Sequence, residues 1–106
     1  MGDTKNPLRV RVFADPAGGH ELRLQLDHPS ESGLRRGADG TLIPALYLAE
    51  LSLLLNGQMA LELQLGPALA DKPLFSAFLP QSKAGDLLEI RWRNNQGQRG
   101  QHQQRI

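Results

Sequence analysis

Apolar and polar residues alternate along most of this chain. Leu8, Val10 and Val12 alternate with Arg9 and Arg11, which predicts a first strand, because successive side chains of an extended backbone point to opposite faces. The Ala14–Gly19 segment reads as a turn, and Leu22, Leu24 and Leu26 alternate with Arg23, Gln25 and Asp27 in a second strand. Tyr47, Ala49, Leu51, Leu53 and Leu55 predict one face of a third strand. Asn56-Gly57 then closes a hairpin, since both residues tolerate positive φ. Met59, Leu61, Leu63 and Leu65 form the apolar row of a fourth strand, which Gly66-Pro67 stops. Further strands are expected at Leu74–Leu79 and through Leu88, Ile90 and Trp92, with turns at Pro80–Asp86 and Asn94–Gly97. The last segment, Gln98–Ile106, is almost devoid of apolar side chains and fits a polar edge strand or a frayed tail. The segment 46–55 is leucine-rich enough for a helix on propensity alone. The Asn-Gly hairpin and the matching alternation beyond it favour a strand. Seven to eight short antiparallel strands predict an all-β, immunoglobulin-like sandwich, read as a single domain over residues 1–106.

The departure from this rhythm is His28–Pro44, HPSESGLRRGADGTLIP. It is a polar, glycine-rich connection of 17 residues between two apolar strands. Strands in so small a β-domain are usually joined by about two to five residues, and a long ordered connection is more often functional than decorative. Gly33, Gly37 and Gly40 are read as meeting backbone needs of the loop, and Leu42-Ile43-Pro44 as its return toward the core.

Leu46, Leu48 and Leu54 are expected on the face opposite Tyr47, Leu51 and Leu53. A strand apolar on both faces is either buried on both or part of an interface. This run is therefore a candidate contact for a protein partner, the alternative being cover by the chain's own loops.

Balance of charge excludes several partners. Twelve basic and eleven acidic residues leave a net +1, which argues neither for nucleic acid nor for an anionic membrane. No apolar stretch approaches the roughly 20 residues that span a bilayer. MGDTKNP at the N-terminus has no apolar signal core, so no leader is expected there. There is no cysteine, which excludes thiol nucleophiles, disulfides, zinc–thiolate sites and iron–sulfur clusters in this chain.

The remaining candidate chemistry is thin. His20, His28 and His102 show no metal-ligand spacing, and His20 and His102 read as solvated turn and tail residues. His28 has two readings: a polar contact for a partner, or a loop anchor whose ring nitrogen bonds loop backbone. Glu31 has no second acid poised beside it, and Ser30 and Ser32 lie outside any nucleophile-elbow context. No enzyme, metal or cofactor is expected. Arg35 and Arg36 suit a bidentate oxyanion, an acidic partner surface, or a salt bridge to Glu31 or Asp39.

The residues His28, Pro29, Glu31, Gly33, Arg35, Arg36, Asp39, Gly40, Leu42, Ile43 and Pro44 stand at the spacing of a known signature. The segment resembles that of the SoxZ family, one half of the SoxYZ carrier of bacterial thiosulfate oxidation. Asn56-Gly57 and the Lys72-Pro73-Leu74-Phe75 corner are similar to family positions too, with Lys72 in place of the usual asparagine. The resemblance implies an immunoglobulin-like sandwich and a non-catalytic role. It implies a SoxY-like partner whose C-terminal cysteine holds the sulfur, transient contact with other sulfur-oxidation enzymes, and export to the periplasm bound to that partner. Partner-binding residues expected on this view are His28, Glu31, Arg35, Arg36, Leu46, Leu48 and Leu54. The competing expectation is a stand-alone sandwich that homodimerises through its leucine-rich sheet and has no sulfur role.

Overall fold

The computed structural model describes residues 7–69 and 71–106. Seven antiparallel strands occur among them, with no helix: β1 Leu8–Ala14, β2 His20–Leu26, β3 Leu48–Leu55, β4 Gln58–Gln64, β5 Leu74–Leu79, β6 Leu87–Asn94 and β7 Arg99–Arg105. They form a three-stranded sheet in the order β1-β2-β5 and a four-stranded sheet in the order β4-β3-β6-β7. The two sheets share one core, built from Leu8, Leu22, Leu24, Leu26 and Leu79 of the first and Leu48, Leu51, Leu53, Leu88 and Ile90 of the second. This is the expected β-sandwich. Residues 46–55 are extended as read, and the polar C-terminal segment is the edge strand β7.

The β1–β2 pair follows strict period two: Leu22, Leu24 and Leu26 are at most 1% exposed, while Arg23 between them faces water. Asn56 and Gly57 take φ of 51° and 83°, the left-handed pair that a tight hairpin needs. On β7, Gly100 lies against the Trp92 indole so closely that any side chain there would clash with the ring.

Two bulges overturn the simple parity of the third and fourth strands. Leu48 pairs with Asn94 and Glu50 with Arg93, so Ala49 is an extra residue on β3. The extra residue turns Leu48 to the same side as Leu51 and Leu53, and Leu48 is 1% exposed in the core rather than on the opposite face. On β4, Leu53 pairs with Leu61 but Leu54 with Met59, which makes Ala60 the extra residue. Met59 therefore turns away from the row of Leu61 and Leu63, and is 53% exposed. Leu54 does lie outside the core cluster, but at 7% exposure it is covered by the chain's own atoms. The double-sided leucine run thus leaves no open apolar surface at Leu48 or Leu54.

Candidate functional site

The segment after β2 folds back on itself as a projecting finger. Glu31 and Leu46 exchange backbone hydrogen bonds at 2.6 and 2.9 Å, which pins its root. Beyond them Ile43 N–H donates to Arg35 O at 2.8 Å and Gly37 N–H to Thr41 O at 2.8 Å, with Arg36 and Leu42 paired between. The two arms are therefore a short antiparallel ladder, closed by a turn in which Gly40 N–H donates to Gly37 O at 3.0 Å. Gly33 bends the outgoing arm at φ of 87°, with Ala45 so near that an added Cβ would sit 3.2 Å from its methyl group. Gly37 does not take a positive φ, so the backbone need anticipated for it is not what the turn uses.

Both arginines are engaged within the finger. Arg35 forks onto Glu31, Nε to Oε1 at 3.1 Å and Nη2 to Oε2 at 2.5 Å. The Arg35 guanidinium, chiefly through its hydrogen bond and then through its charge, holds the Glu31 carboxyl below the usual carboxylate range against opposing desolvation; the same pairing raises Arg35. Arg36 Nη1 donates to Gly40 O at 2.7 Å and so braces the tip. Asp39 Oδ1 accepts from the Thr41 hydroxyl at 2.7 Å and the Thr41 N–H at 3.1 Å, which lowers its pKa, the hydroxyl contributing most. Of the readings open for this arginine pair, the salt bridge to Glu31 is the one formed for Arg35.

His28 is 7% exposed and acts as a loop anchor. Its Nδ1 lies 2.7 Å from the Pro29 carbonyl, which can only accept, so Nδ1 carries the proton. Nε2 then accepts from Asn94 Nδ2 at 3.2 Å, and the ring meets Trp92 edge-on with centroids 5.6 Å apart. Little of this imidazole is left to offer a partner. His20 and His102 are half-buried in β2 and β7, not in turn and tail: His20 Nδ1 bonds Ser82 Oγ at 2.8 Å, and His102 Nε2 bonds Gln104 Oε1 at 2.8 Å.

The clamp on the finger comes from residues read only as a turn. Asn94 is fully buried and uses both ends of its amide. Oδ1 accepts from the N–H groups of Gln96 and Gln98, and Nδ2 donates to His28 and to Gln98 Oε1. Asn95 Oδ1 accepts from Tyr47 N–H at 2.8 Å and its Nδ2 donates to Ala45 O at 2.9 Å, with Gln96 Nε2 adding a second donor at 3.1 Å. A signal for this lay in the pattern: Asn94 continues the inward row Leu88, Ile90, Trp92, and a polar residue on an inward row needs partners. On the other flank, Asp71 Oδ1 accepts from Ser30 N–H at 2.6 Å.

What the finger presents is leucine. Leu34 is 82% exposed and Leu42 52%. Leu46 is half-buried at the root, so of the three leucines expected to meet a partner it alone keeps partial exposure and adjoins the finger. The exposed leucines lie in the same finger as the paired Glu31 and Arg35, and no nucleophile or acid–base pair is gathered there. Among the described residues no cluster of three or more His, Asp or Glu side chains forms a metal cage.

The family described as sulphur oxidation protein SoxZ matches residues 10–105, which takes in all seven strands almost completely and the whole finger. The match runs on through β7, beyond the Asn94–Gly97 turn. No curated protein matches the chain.

Proposed function

Because the chain belongs to the SoxZ family, we propose that it is the non-catalytic subunit of a SoxYZ-type sulfur carrier. It binds a SoxY-like subunit and helps present that subunit's cysteine-bearing arm to the enzymes of thiosulfate oxidation. The family match over residues 10–105 carries this reading. The absence of cysteine agrees with it, since the sulfur then has to ride on the partner. The compartment proposed is the periplasm, reached in complex with that partner.

The finger is the contact surface we assign to this role. Leu34 and Leu42 supply apolar area, while Glu31, Arg35 and Arg36 give a polar rim of the kind that surrounds buried anchors at protein interfaces. His28 and Leu48 act from beneath, one anchoring the root and the other filling the core. For Arg35 to hold an oxyanion it has first to leave Glu31, so its contribution to contact is as an ion pair.

Co-expression with a neighbouring small protein that ends in a Gly-Gly-Cys-Gly-Gly-like tail tests the reading. A 1:1 complex by native mass is expected, and Leu34→Asp with Leu42→Asp is expected to weaken it while leaving the sandwich folded. A chain that stays monomeric, or pairs only with itself, in the presence of that protein removes the reading.

A further inference from the structure

The outer face of the β1-β2-β5 sheet carries a combination that neither the sandwich nor the finger requires. Register sets three rows across it: Phe13–Glu21–Phe78, Arg11–Arg23–Ser76 and Arg9–Gln25–Leu74. Phe13 is 41% exposed, Phe78 50% and Leu74 71%. Arg9, Arg11 and Arg23 are all exposed. A hollow bounded by Pro7, Arg9, Gln25, Asp27 and Lys72 prolongs the basic strip.

Arg11 and Arg23 are directly opposed on neighbouring strands, an arrangement that destabilises a sheet. Charge on an edge strand guards against edge-to-edge aggregation, and that explains Arg9 and Arg11 on β1. It does not explain Arg23, because β2 is the central strand. Nor does it explain two phenyl rings in one row. Arg23 is held in place, 4.9 Å over the Phe13 ring and 3.3 Å from Glu21 Oε1, while Ser76 Oγ donates to Glu21 Oε2 at 3.2 Å. Beyond the backbone pairing of β1 with β2, the Arg9 and Arg11 side chains make no hydrogen bond or ion pair with the described residues.

We propose that this face docks an acidic segment of a partner protein, with carboxylates on Arg9, Arg11 and the outer side of Arg23 and an apolar side chain against the Phe78 ring, while Glu21 between the two rings stays paired with Arg23 and Ser76. Charge decides the occupant. A second copy meeting this patch about a two-fold axis would set the same arginines against themselves. A small inorganic anion would have no use for the phenyl rings. The Phe13–Phe78 end of the face is remote from the finger, which leaves the other end of β2: from Glu21 to Leu26 is about 17 Å along the strand, while the Arg9–Gln25 end adjoins the finger root. The inference rests on the proposed function only in treating the chain as a binding subunit.

The probe is a synthetic peptide, Glu-Asp-Glu-Phe-Glu-Asp-Glu, titrated into the isotopically labelled full chain and followed by amide shifts. Shifts confined to β1, β2 and β5 are expected, with affinity falling about tenfold as salt is raised several-fold. The paired change Arg11→Gln with Arg23→Gln is expected to lower affinity at least about tenfold, and Phe13→Ser with Phe78→Ser to do likewise, all four positions being exposed. A peptide with lysine in place of every acid is expected to give no shifts. Shifts centred on the finger, binding that survives Arg11→Gln with Arg23→Gln, no shifts at all, or dimerisation through this face would each overturn the proposal. Loss of the SoxY-like complex by finger substitutions leaves this titration unchanged, so the two readings fail separately.

Discussion

Asn94 Nδ2 donates to His28 Nε2 across 3.2 Å, and this one bond joins the last residue of β6 to the root of the finger. The two residues are 66 apart in sequence and both are buried. The amide orientation is fixed independently, because Asn94 Oδ1 accepts from two backbone N–H groups at 3.0 and 2.9 Å. With the amide so fixed, the imidazole has one ring nitrogen for Asn94 and the other for Pro29 O. The finger is thus aimed by the hydrophobic core, through a polar pair at its edge.

Asn94→Ala is expected to cost about 1–3 kcal/mol, since it strands the buried His28 nitrogen and removes the acceptor of the Gln96 and Gln98 amides, which belong to exposed residues that water can reach. Asn94→Asp keeps the acceptor but sets a buried carboxylate oxygen against two acceptors, His28 Nε2 and Gln98 Oε1, so a loss at least as large is expected near neutral pH. Urea unfolding of the three proteins orders them. An Asn94→Ala protein as stable as the parent would show that the pair does not tie finger to core.

Asn95→Ala separates aiming from stability. Asn95 is exposed and bonds Tyr47 N–H and Ala45 O at the finger's return arm. Global stability is expected to fall by only about 0.5–1.5 kcal/mol. Hydrogen exchange at Tyr47, Leu46 and Glu31 is expected to quicken by more than exchange in β2 or β6, because local opening needs only the clamp to release. Uniform quickening over all strands would contradict the clamp.

The strands were legible because period two is a property of each strand alone. Leu22, Leu24 and Leu26 needed no neighbour to be read as inward. Leu48 and Met59 were misplaced because a bulge belongs to a pair of strands, and Ala49 and Ala60 give no sign of being extra until the register with β6 and β3 is known. The finger was legible as an interruption of that rhythm, and its family signature as a string of fixed spacings. Its internal bonding was not: Arg35 found Glu31, one of the two acids weighed for the pair, but Arg36 braces Gly40 O. The clamp at Asn94 and Asn95 is a contact between distant segments, so local propensity saw only the turn.

The finger is expected to loosen in acid relative to β2, whereas β3 and the turn before β6 hold lowered carboxyls of their own in Glu50 and Asp86. Arg35 lowers the Glu31 pKa and Thr41 lowers that of Asp39. A carboxyl depressed in the folded state adds stability that is fully present above its unfolded value, about 4, and is lost as the pH falls through the folded value. Exchange at Ile43 and Thr41 amides is therefore expected to accelerate below about pH 4 relative to β2 amides, and Glu31→Gln is expected to blunt the Glu31 part of that change. A finger whose amides follow those of β2 at every pH would rule the effect out.

Lys72 takes φ of 54°, and with Asn56 it is one of two described non-glycine residues in the left-handed region. Asparagine enters that region far more readily than lysine, and a non-glycine residue held there costs about 1–3 kcal/mol. The corner is sustained from outside: Leu26 N–H donates to Pro73 O at 3.2 Å, and Gln25 Nε2 approaches Lys72 O at 3.5 Å. Pro73 behind it is buried, so the backbone cannot relax without disturbing the end of β2. Lys72→Asn, which restores the residue usual in the family this chain resembles at that corner, is expected to raise stability by about 0.5–1 kcal/mol, and Lys72→Gly by a similar amount or less, because glycine also frees the unfolded chain. Thermal unfolding measures both. A lower midpoint for Lys72→Asn would mean that the lysine side chain contributes more to this corner than the strain it endures.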